Sequence, residues 1–292
     1  MTAAPDALVE WRSAGRSIDV EGRDIFVVEQ GSGDRAVLIL HGFPGSSFDW
    51  HRVVPALARS FRVVAFDFLG YGLSAKPPDA RYSLFEQADL AERVAAEVGM
   101  ERCALVAHDM GDTVAAELLM RAVEGRLSFE VERAILTNGS IFIDLAQLSA
   151  GQLALLSLPD EVLPQPIPLE GFRPGLAETF SSQHQPSEDD LDAMVWLIAR
   201  DGGDQLLPRL IRYIEERRAN QERWTDGLVR FEGPLAALWG AQDPIAVPAM
   251  VQRLSSLRPD TDVVVWDDVG HWPSLEAPGR LVQAVTDRIG TG

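Results

Sequence analysis

The chain has 292 residues, of which 46% are hydrophobic and 24% charged, and these values exclude a disordered tail, a fibrous repeat and a small disulfide-stapled scaffold. Its 44 acidic residues against 26 basic ones give a formal net charge of -18, which predicts that nucleic acid and anionic membranes are not partners. The single cysteine, Cys103, excludes an internal disulfide and a thiolate metal cluster within the chain.

The beginning of the chain carries charged side chains and lacks the apolar stretch of a signal peptide. No window of the sequence is long and apolar enough to predict a membrane-spanning helix. We therefore expect the protein to be cytoplasmic.

Short β-branched runs alternate with amphipathic stretches along the chain. This alternation predicts an α/β fold with a mostly parallel central sheet flanked by helices. The predicted strands are 24–29, 36–40, 62–66, 103–107, 133–137, 235–239 and 263–266. The main predicted helices between them are 84–98, 112–123 and 279–289.

The strand pattern stops after residue 140, where a Pro-rich loop is followed by helical stretches at 191–200 and 206–218. A helical insertion at this point would cover the carboxyl edge of the sheet, where open α/β sheets bind ligands. The predicted division is an N-terminal part of the core domain (1–140), a helical cap (141–222) and a C-terminal part of the core domain (223–292).

A predicted strand runs directly into a helix at Ala107-His108-Asp109-Met110-Gly111. Small residues two before and two after a nucleophile allow the sharp turn called a nucleophile elbow, and Ala107 and Gly111 meet this requirement. Asp109 stands where a serine usually stands. A carboxylate that attacks a saturated carbon forms an ordinary ester, so Asp109 predicts displacement of an epoxide oxygen or a halide, followed by hydrolysis. The alternative is that Asp109 only caps the helix.

Two residues near the end of the chain complete a triad in the order nucleophile, acid, histidine. His271 follows the last predicted strand and is the candidate base, and Asp243 follows the strand before it and would orient the imidazole. The backbone N–H groups of Phe43 and Met110 form a candidate oxyanion hole, because both residues directly follow strands that end at the same sheet edge.

With these motifs the chain resembles an α/β-hydrolase of the branch that holds epoxide hydrolases and haloalkane dehalogenases. The stretch 67–74 is similar to the Asp-x-x-Gly-x-Gly-x-Ser turn typical of that branch. Other stretches, among them 41–50, 108–121 and 201–224, look closest to mesoderm-specific transcript proteins. The resemblance implies an α/β-hydrolase fold with a helical cap and an Asp nucleophile.

The resemblance also bears on the leaving group. Haloalkane dehalogenases hold the departing halide with side-chain donors at two positions that are Met110 and Phe43 here, and neither side chain donates a hydrogen bond. In epoxide hydrolases cap tyrosines donate to the leaving oxygen, and Tyr213 is the candidate acid. No second tyrosine occurs in 141–200, so His184 or a water molecule would have to replace it.

The chain is therefore predicted to be an epoxide hydrolase that converts a small, neutral, hydrophobic substrate and water into a vicinal diol, without a metal or an organic cofactor. Asn138, Ile141 and Phe142 are predicted to line the substrate pocket. The alternatives are a haloalkane dehalogenase and a non-catalytic protein that binds small molecules on the same fold. The sequence leaves the substrate's identity and the oligomeric state open.

Overall fold

The computed structural model describes residues 4–168 and 171–290. Its strands are β1 (Gly15–Val20), β2 (Arg23–Gln30), β3 (Ala36–Leu40), β4 (Arg62–Phe66), β5 (Arg102–His108), β6 (Glu130–Thr137), β7 (Leu235–Gly240) and β8 (Asp262–Trp266). They form one eight-stranded sheet in the order β1-β2-β4-β3-β5-β6-β7-β8. β2 pairs antiparallel with β1 and β4, and the other neighbours pair parallel. The predicted α/β class with a mostly parallel sheet is confirmed.

Helices precede, connect and follow the strands. They are α1 (Asp6–Ala14), α2 (Val54–Leu57), α3 (Leu84–Glu97), α4 (Met110–Val123), α5 (Ala150–Ser157), α6 (Phe172–Ala177), α7 (Glu188–Ala199), α8 (Gly203–Leu210), α9 (Tyr213–Ala219), α10 (Gln221–Arg230), α11 (Ala249–Leu257), α12 (Pro273–Glu276) and α13 (Pro278–Ile289). No helix within the described ranges is long and apolar enough to cross a membrane.

The central strands are buried on both faces. Every residue of β3 is buried, and so is β5 after its first residue, as continuous apolar runs in parallel strands require. Cys103 lies inside β5, and burial raises the pKa of its thiol well above the ordinary value. β1 was not predicted, because it pairs only with β2 at the sheet edge and buries only Val20 completely.

Among the described residues between β6 and β7 there are six α-helices, α5 to α10, and no strand. We call them the helical insertion. The predicted helix 206–218 is two helices, since α8 ends at Leu210 and α9 begins at Tyr213. The domain boundary predicted at residue 222 falls inside α10. Trp224 of this helix donates its indole N–H to Glu117 of α4 at 3.1 Å, so α10 packs as one element on the core.

The parallel strands carry the predicted site residues to one edge of the sheet. Successive strands β3, β5, β6, β7 and β8 all end at this edge, because parallel neighbours share their direction. The residues that follow their carboxyl ends are Phe43, Asp109, Asn138, Asp243 and His271. Residues far apart in the chain thereby come together.

Candidate active site

Asp109 stands between β5 and α4 in a strained turn. Its φ of 49° and ψ of -112° lie outside the regions that residues with side chains prefer. The turn leaves no room for bulk, because a Cβ on Gly111 would lie 2.4 Å from the carbonyl oxygen of Leu40. The Asp109 side chain makes no capping hydrogen bond with α4, which contradicts the simple helix-cap alternative.

The Asp109 carboxylate is held through one oxygen. The backbone N–H of Phe43 donates to Oδ2 at 2.8 Å, and no other described residue donates to the carboxylate. The approach is close, since a Cβ on Gly42 would lie 2.6 Å from the Cβ of Asp109. Met110 is the first residue of α4, where backbone N–H groups lack partners within the helix. Oδ1 is therefore the oxygen left free to attack.

His271 and Asp243 form a buried pair. Nδ1 of His271 lies 2.8 Å from Oδ2 of Asp243 and donates to it, because an ionised carboxylate only accepts. Asp243 is itself fixed: its Oδ1 accepts the backbone N–H groups of Ile245 and Ala246 at 2.7 and 3.0 Å. Asn138 donates its amide N–H to Oδ2 at 2.7 Å. The arrangement holds the imidazole in one orientation and leaves Nε2 for catalysis.

The electrostatics of this pair favour a charged imidazole. Burial lowers the pKa of His271, but the charge and hydrogen bond of Asp243, together with the Asp109 charge, raise it overall to about 9. Burial opposes ionisation of Asp243, yet the His271 charge and the hydrogen bonds from His271 and Asn138 hold the pKa of Asp243 below its ordinary value. At neutral pH the free site therefore holds an imidazolium next to Asp243.

The loop that carries His271 is held by two residues that the sequence did not indicate. Glu276 accepts the backbone N–H groups of Gly270 and Trp272, at 2.8 and 2.9 Å, on either side of the histidine. Thr179 of the segment after α6 accepts the backbone N–H of His271 at 3.0 Å. Its hydroxyl also accepts the indole N–H of Trp272 at 2.7 Å. The helical insertion therefore touches the candidate base directly.

Tyr213 lies over the oxyanion loop. It is 2% exposed, and its ring centroid lies 5.4 Å from that of Phe43. Burial raises the pKa of the Tyr213 phenol well above its ordinary value, and the Asp109 charge adds to this effect while Arg217 opposes it. The structure thus places the predicted acid within electrostatic range of the nucleophile.

Two further side chains near Tyr213 were missed. The amide nitrogen of Gln152 in α5 lies 3.5 Å from the Tyr213 oxygen, and no sequence pattern marks it. Tyr71 is buried and donates its hydroxyl to the Met110 sulfur at 3.3 Å; its place in the turn 67–74 after β4 was the available signal. His184 is not at the site, because it pairs with Asp268 at 3.0 Å in the loop after β8.

The predicted pocket residues occupy different places. Asn138 is fully buried, and its amide hydrogen-bonds Asp243 and the last N–H of β7, so it braces the acid instead of facing a substrate. Ile141 borders a narrow gap that it shares with Arg217. Phe142 packs beneath a surface arginine of α11, Arg253. The pocket roles of Ile141 and Phe142 stay predictions.

The arrangement brings together groups that can act in catalysis. They are the Asp109 carboxylate, the His271 imidazole oriented by Asp243, the Phe43 backbone N–H and the buried Tyr213 phenol. No group of three or more His, Cys, Asp or Glu side chains among the described residues could hold a metal ion.

The fold and this constellation define an α/β-hydrolase. The family described as alpha/beta hydrolase fold matches residues 35–278, and the chain belongs to it. LipZ of Mycobacterium tuberculosis, named as a hydrolase, is 38% identical over 276 residues that cover 94% of this chain and 95% of LipZ. The mesoderm-specific transcript homologue of Bos taurus is 34% identical over 293 residues, covering 95% of this chain and 86% of that protein. The predicted resemblance is confirmed.

Solved structures show the same fold. Haloalkane dehalogenase DbeA from Bradyrhizobium elkani has a TM-score of 0.77 and 23% identity, covering 94% of this chain and 97% of that one. The epoxide hydrolase CorEH has a TM-score of 0.75 and 19% identity over the same shares of the two chains. At these identities the likeness shows the architecture alone.

Proposed function

We propose that this protein is a hydrolase that opens epoxides through a covalent ester on Asp109 and releases vicinal diols. The observation that carries the proposal is the elbow position of the Asp109 carboxylate, held at Oδ2 by the Phe43 N–H while the His271–Asp243 pair lies at the same sheet edge. A serine at this position would favour acyl transfer; a carboxylate favours alkylation.

In the first step Oδ1 of Asp109 attacks an epoxide carbon and the C–O bond breaks. Tyr213 passes its proton to the leaving oxygen, which becomes a hydroxyl while Tyr213 becomes a phenolate. The product is an alkyl ester whose carbonyl oxygen is Oδ2. Because Oδ2 already accepts the Phe43 N–H, the ester forms with its carbonyl in the oxyanion hole.

In the second step a water molecule attacks the ester carbon, and His271 removes a proton from that water. The tetrahedral oxyanion is stabilised by the Phe43 and Met110 N–H groups, and its collapse releases the diol and restores the Asp109 carboxylate. Before water attacks, the His271 imidazolium gives its proton to the Tyr213 phenolate. The proton taken from the water restores the imidazolium and the second proton of the water goes to the released diol oxygen, so the enzyme ends in its starting state.

The charges of the site fit this order of events. The Asp109 charge is one of the causes that raise the pKa of His271. Ester formation removes that charge, so the pKa of His271 falls and the imidazole becomes a better base when water has to be activated. Alkylation thereby prepares the second step.

The proposed substrate is small, neutral and hydrophobic. Asp109, Tyr213 and His271 are each only 2% exposed, so a bound substrate would lie in surroundings that exclude bulk water. The neighbours Phe43, Met110 and Ile141 are apolar. A haloalkane dehalogenase is the second candidate, since an Asp109 carboxylate could also displace a halide, but the lack of halide donors on the Met110 and Phe43 side chains opposes it.

The test is to trap the ester. His271→Gln enzyme is incubated with aliphatic and aryl epoxides and analysed by peptide mass spectrometry, and an adduct of the epoxide's mass on Asp109 is expected. The matched controls are Asp109→Asn, which should carry no adduct, and Asp267→Asn, an exposed carboxylate near the same loop that should change nothing.

Other outcomes would overturn the proposal. Halide release from haloalkanes without diol formation from epoxides would establish the dehalogenase. Cleavage of simple esters that persists in Asp109→Asn would remove Asp109 from the reaction. Ligand binding without turnover, unaffected by His271→Gln, would show a binding protein.

A further inference from the structure

Arg217 of α9 is a buried cation without a counterion in contact. Its side chain is among the largest that are fully buried, at 1% exposure. No acidic side chain of the described residues lies within ion-pair distance of its guanidinium. Nε donates to the Thr113 hydroxyl at 2.8 Å, and Nη2 has no hydrogen-bond partner. Burial of a charge without a counterion destabilises the folded protein, so we expect Arg217 to have a function that outweighs this loss of stability.

The group in contact with the guanidinium is the candidate acid. Arg217 follows Tyr213 by four residues on α9, so both side chains lie on one helix face. The Arg217 Cζ lies 5.0 Å from the centroid of the Tyr213 ring, within the range of a cation–π contact. Thr113, which holds Nε, is in the first turn of α4, directly after the nucleophile. Arg217 thus bridges the helical insertion and the elbow.

During the proposed reaction negative charge moves from Asp109 toward Tyr213 and Arg217. Before alkylation the charge lies on Asp109; after it, the charge lies on the leaving oxygen and on Tyr213. Asp112, also near Arg217, is fully buried, and burial raises the pKa of its carboxyl well above the ordinary value, while the Arg217 charge opposes this rise. The Arg217 guanidinium therefore lies beside the group that becomes negatively charged, the Tyr213 phenol.

We infer that Arg217 is a positioning residue for Tyr213: its guanidinium, anchored on Thr113, lies against the phenol ring and stabilises the phenolate that forms as the epoxide opens. The inference rests on the proposed function, because it assumes that Tyr213 gives up its proton.

The groups that act on the Tyr213 phenol come from three sides. Arg217 lies on its own helix, Gln152 of α5 donates to its oxygen, and Asp109 and Tyr71 face it from the core. Burial and the Asp109 charge raise the pKa of Tyr213, whereas Arg217 and Gln152 lower it. Removal of Arg217 should therefore raise the phenol's pKa and weaken the acid.

The first measurement does not depend on turnover. A fluorinated tyrosine is incorporated at position 213 of the full chain, so that its phenol titrates at an accessible pH, and its ultraviolet absorbance is followed against pH. Arg217→Met should raise the apparent pKa by about 1 to 3 pH units, and Arg217→Lys should keep most of the parent value. Thr113→Val, which removes the anchor without removing the charge, should give a smaller rise.

The matched control is Arg258→Met. Arg258 is also buried and lies 5.9 Å from an aromatic ring, that of Phe231, but it belongs to the region after α11. This variant should leave the titration unchanged. A titration that is equal in the parent and in both Arg217→Met and Thr113→Val would overturn the inference.

The second measurement separates the two chemical steps. In the His271→Gln background, Arg217→Met should slow ester formation on Asp109 about tenfold or more, and Arg217→Lys should restore it. With His271 present, Arg217→Met should leave the rate of ester hydrolysis unchanged. An equal loss in both steps would show a merely structural role. If no epoxide forms an ester in the parent, the proposed function fails, while the titration still decides the role of Arg217.

Discussion

The two sides of the candidate site are built differently. On the core side, the Asp109 carboxylate and Asp243 accept backbone N–H groups from loops at strand ends. On the side of the helical insertion, Tyr213 is surrounded by side chains, among them Gln152 and Arg217. The positions of the backbone donors are set by the sheet and its loops, whereas a single substitution can remove a side-chain contact. The fold itself therefore positions Asp109 and Asp243, whereas the surroundings of Tyr213 depend on side chains of the helical insertion.

The two sides also meet at the loop that carries His271. Thr179 accepts the backbone N–H of His271, and the N–H of Ser181 donates to Glu276 at 2.9 Å. Gly270 permits this contact, because a Cβ there would lie 2.5 Å from the Ser181 nitrogen. Docking of the insertion thus helps to hold the base, although the base belongs to the core.

The largest effect is expected from the core side. Asp109→Asn removes the nucleophile, and diol formation should fall by at least about 10⁴-fold, since no other described carboxylate occupies the elbow. Product analysis of epoxide turnover checks this. If Asp109→Asn keeps a tenth of the parent activity, the core side does not supply the nucleophile.

The next effect tests the insertion side. Tyr213→Phe removes the proton donor but keeps the ring, and ester formation should slow by about 10²-fold while ester hydrolysis is unchanged. Single-turnover kinetics in the His271→Gln background measures the first step. Tyr82→Phe is the control, because the Tyr82 hydroxyl donates to the Pro77 carbonyl away from the site. Slowing of hydrolysis instead would place Tyr213 in the second step.

A smaller effect is expected where the two sides meet. Glu276→Ala leaves three buried N–H groups without an acceptor and should lower the free energy of unfolding by about 2 to 4 kcal/mol. Diol formation should fall about tenfold through slower hydrolysis, as the base loses its orientation. Urea unfolding and pre-steady-state kinetics measure both. Exposed Glu232→Ala should change neither, and unchanged hydrolysis in Glu276→Ala would separate the loop contacts from catalysis.

The smallest effect is a pH dependence confined to the core side. The pKa of His271 is raised to about 9 in the folded protein, above the ordinary value of 6.5. The raised pKa of His271 therefore contributes stability that is fully present below about pH 6.5 while Asp243 is ionised, and this stability is lost as the pH rises through 9. Between pH 6.5 and 9 the parent should lose on the order of 2 kcal/mol more unfolding free energy than His271→Gln. Identical pH profiles in urea unfolding would contradict the raised pKa.

The core strands and the catalytic order could be predicted because their signals are local. Buried β-branched runs such as Ala36–Leu40 mark strands that are covered on both faces, and each of these strands is followed by a characteristic loop. Asp109, Asp243 and His271 were predicted as site residues from the residues beside them. β1 was missed because an edge strand that is exposed on most residues has no such pattern.

The amino-acid sequence by itself determined the fold class, the elbow at Asp109 and the order of the candidate triad, since each depends on neighbours along the chain. Only the tertiary structure decided that Asn138 braces Asp243, that Thr179 holds the His271 loop, and that Arg217 of α9 is anchored on Thr113 of α4. These contacts join parts of the chain that are far apart in sequence. Their partners are chosen by how the helical insertion docks on the sheet, and no local spacing encodes that docking.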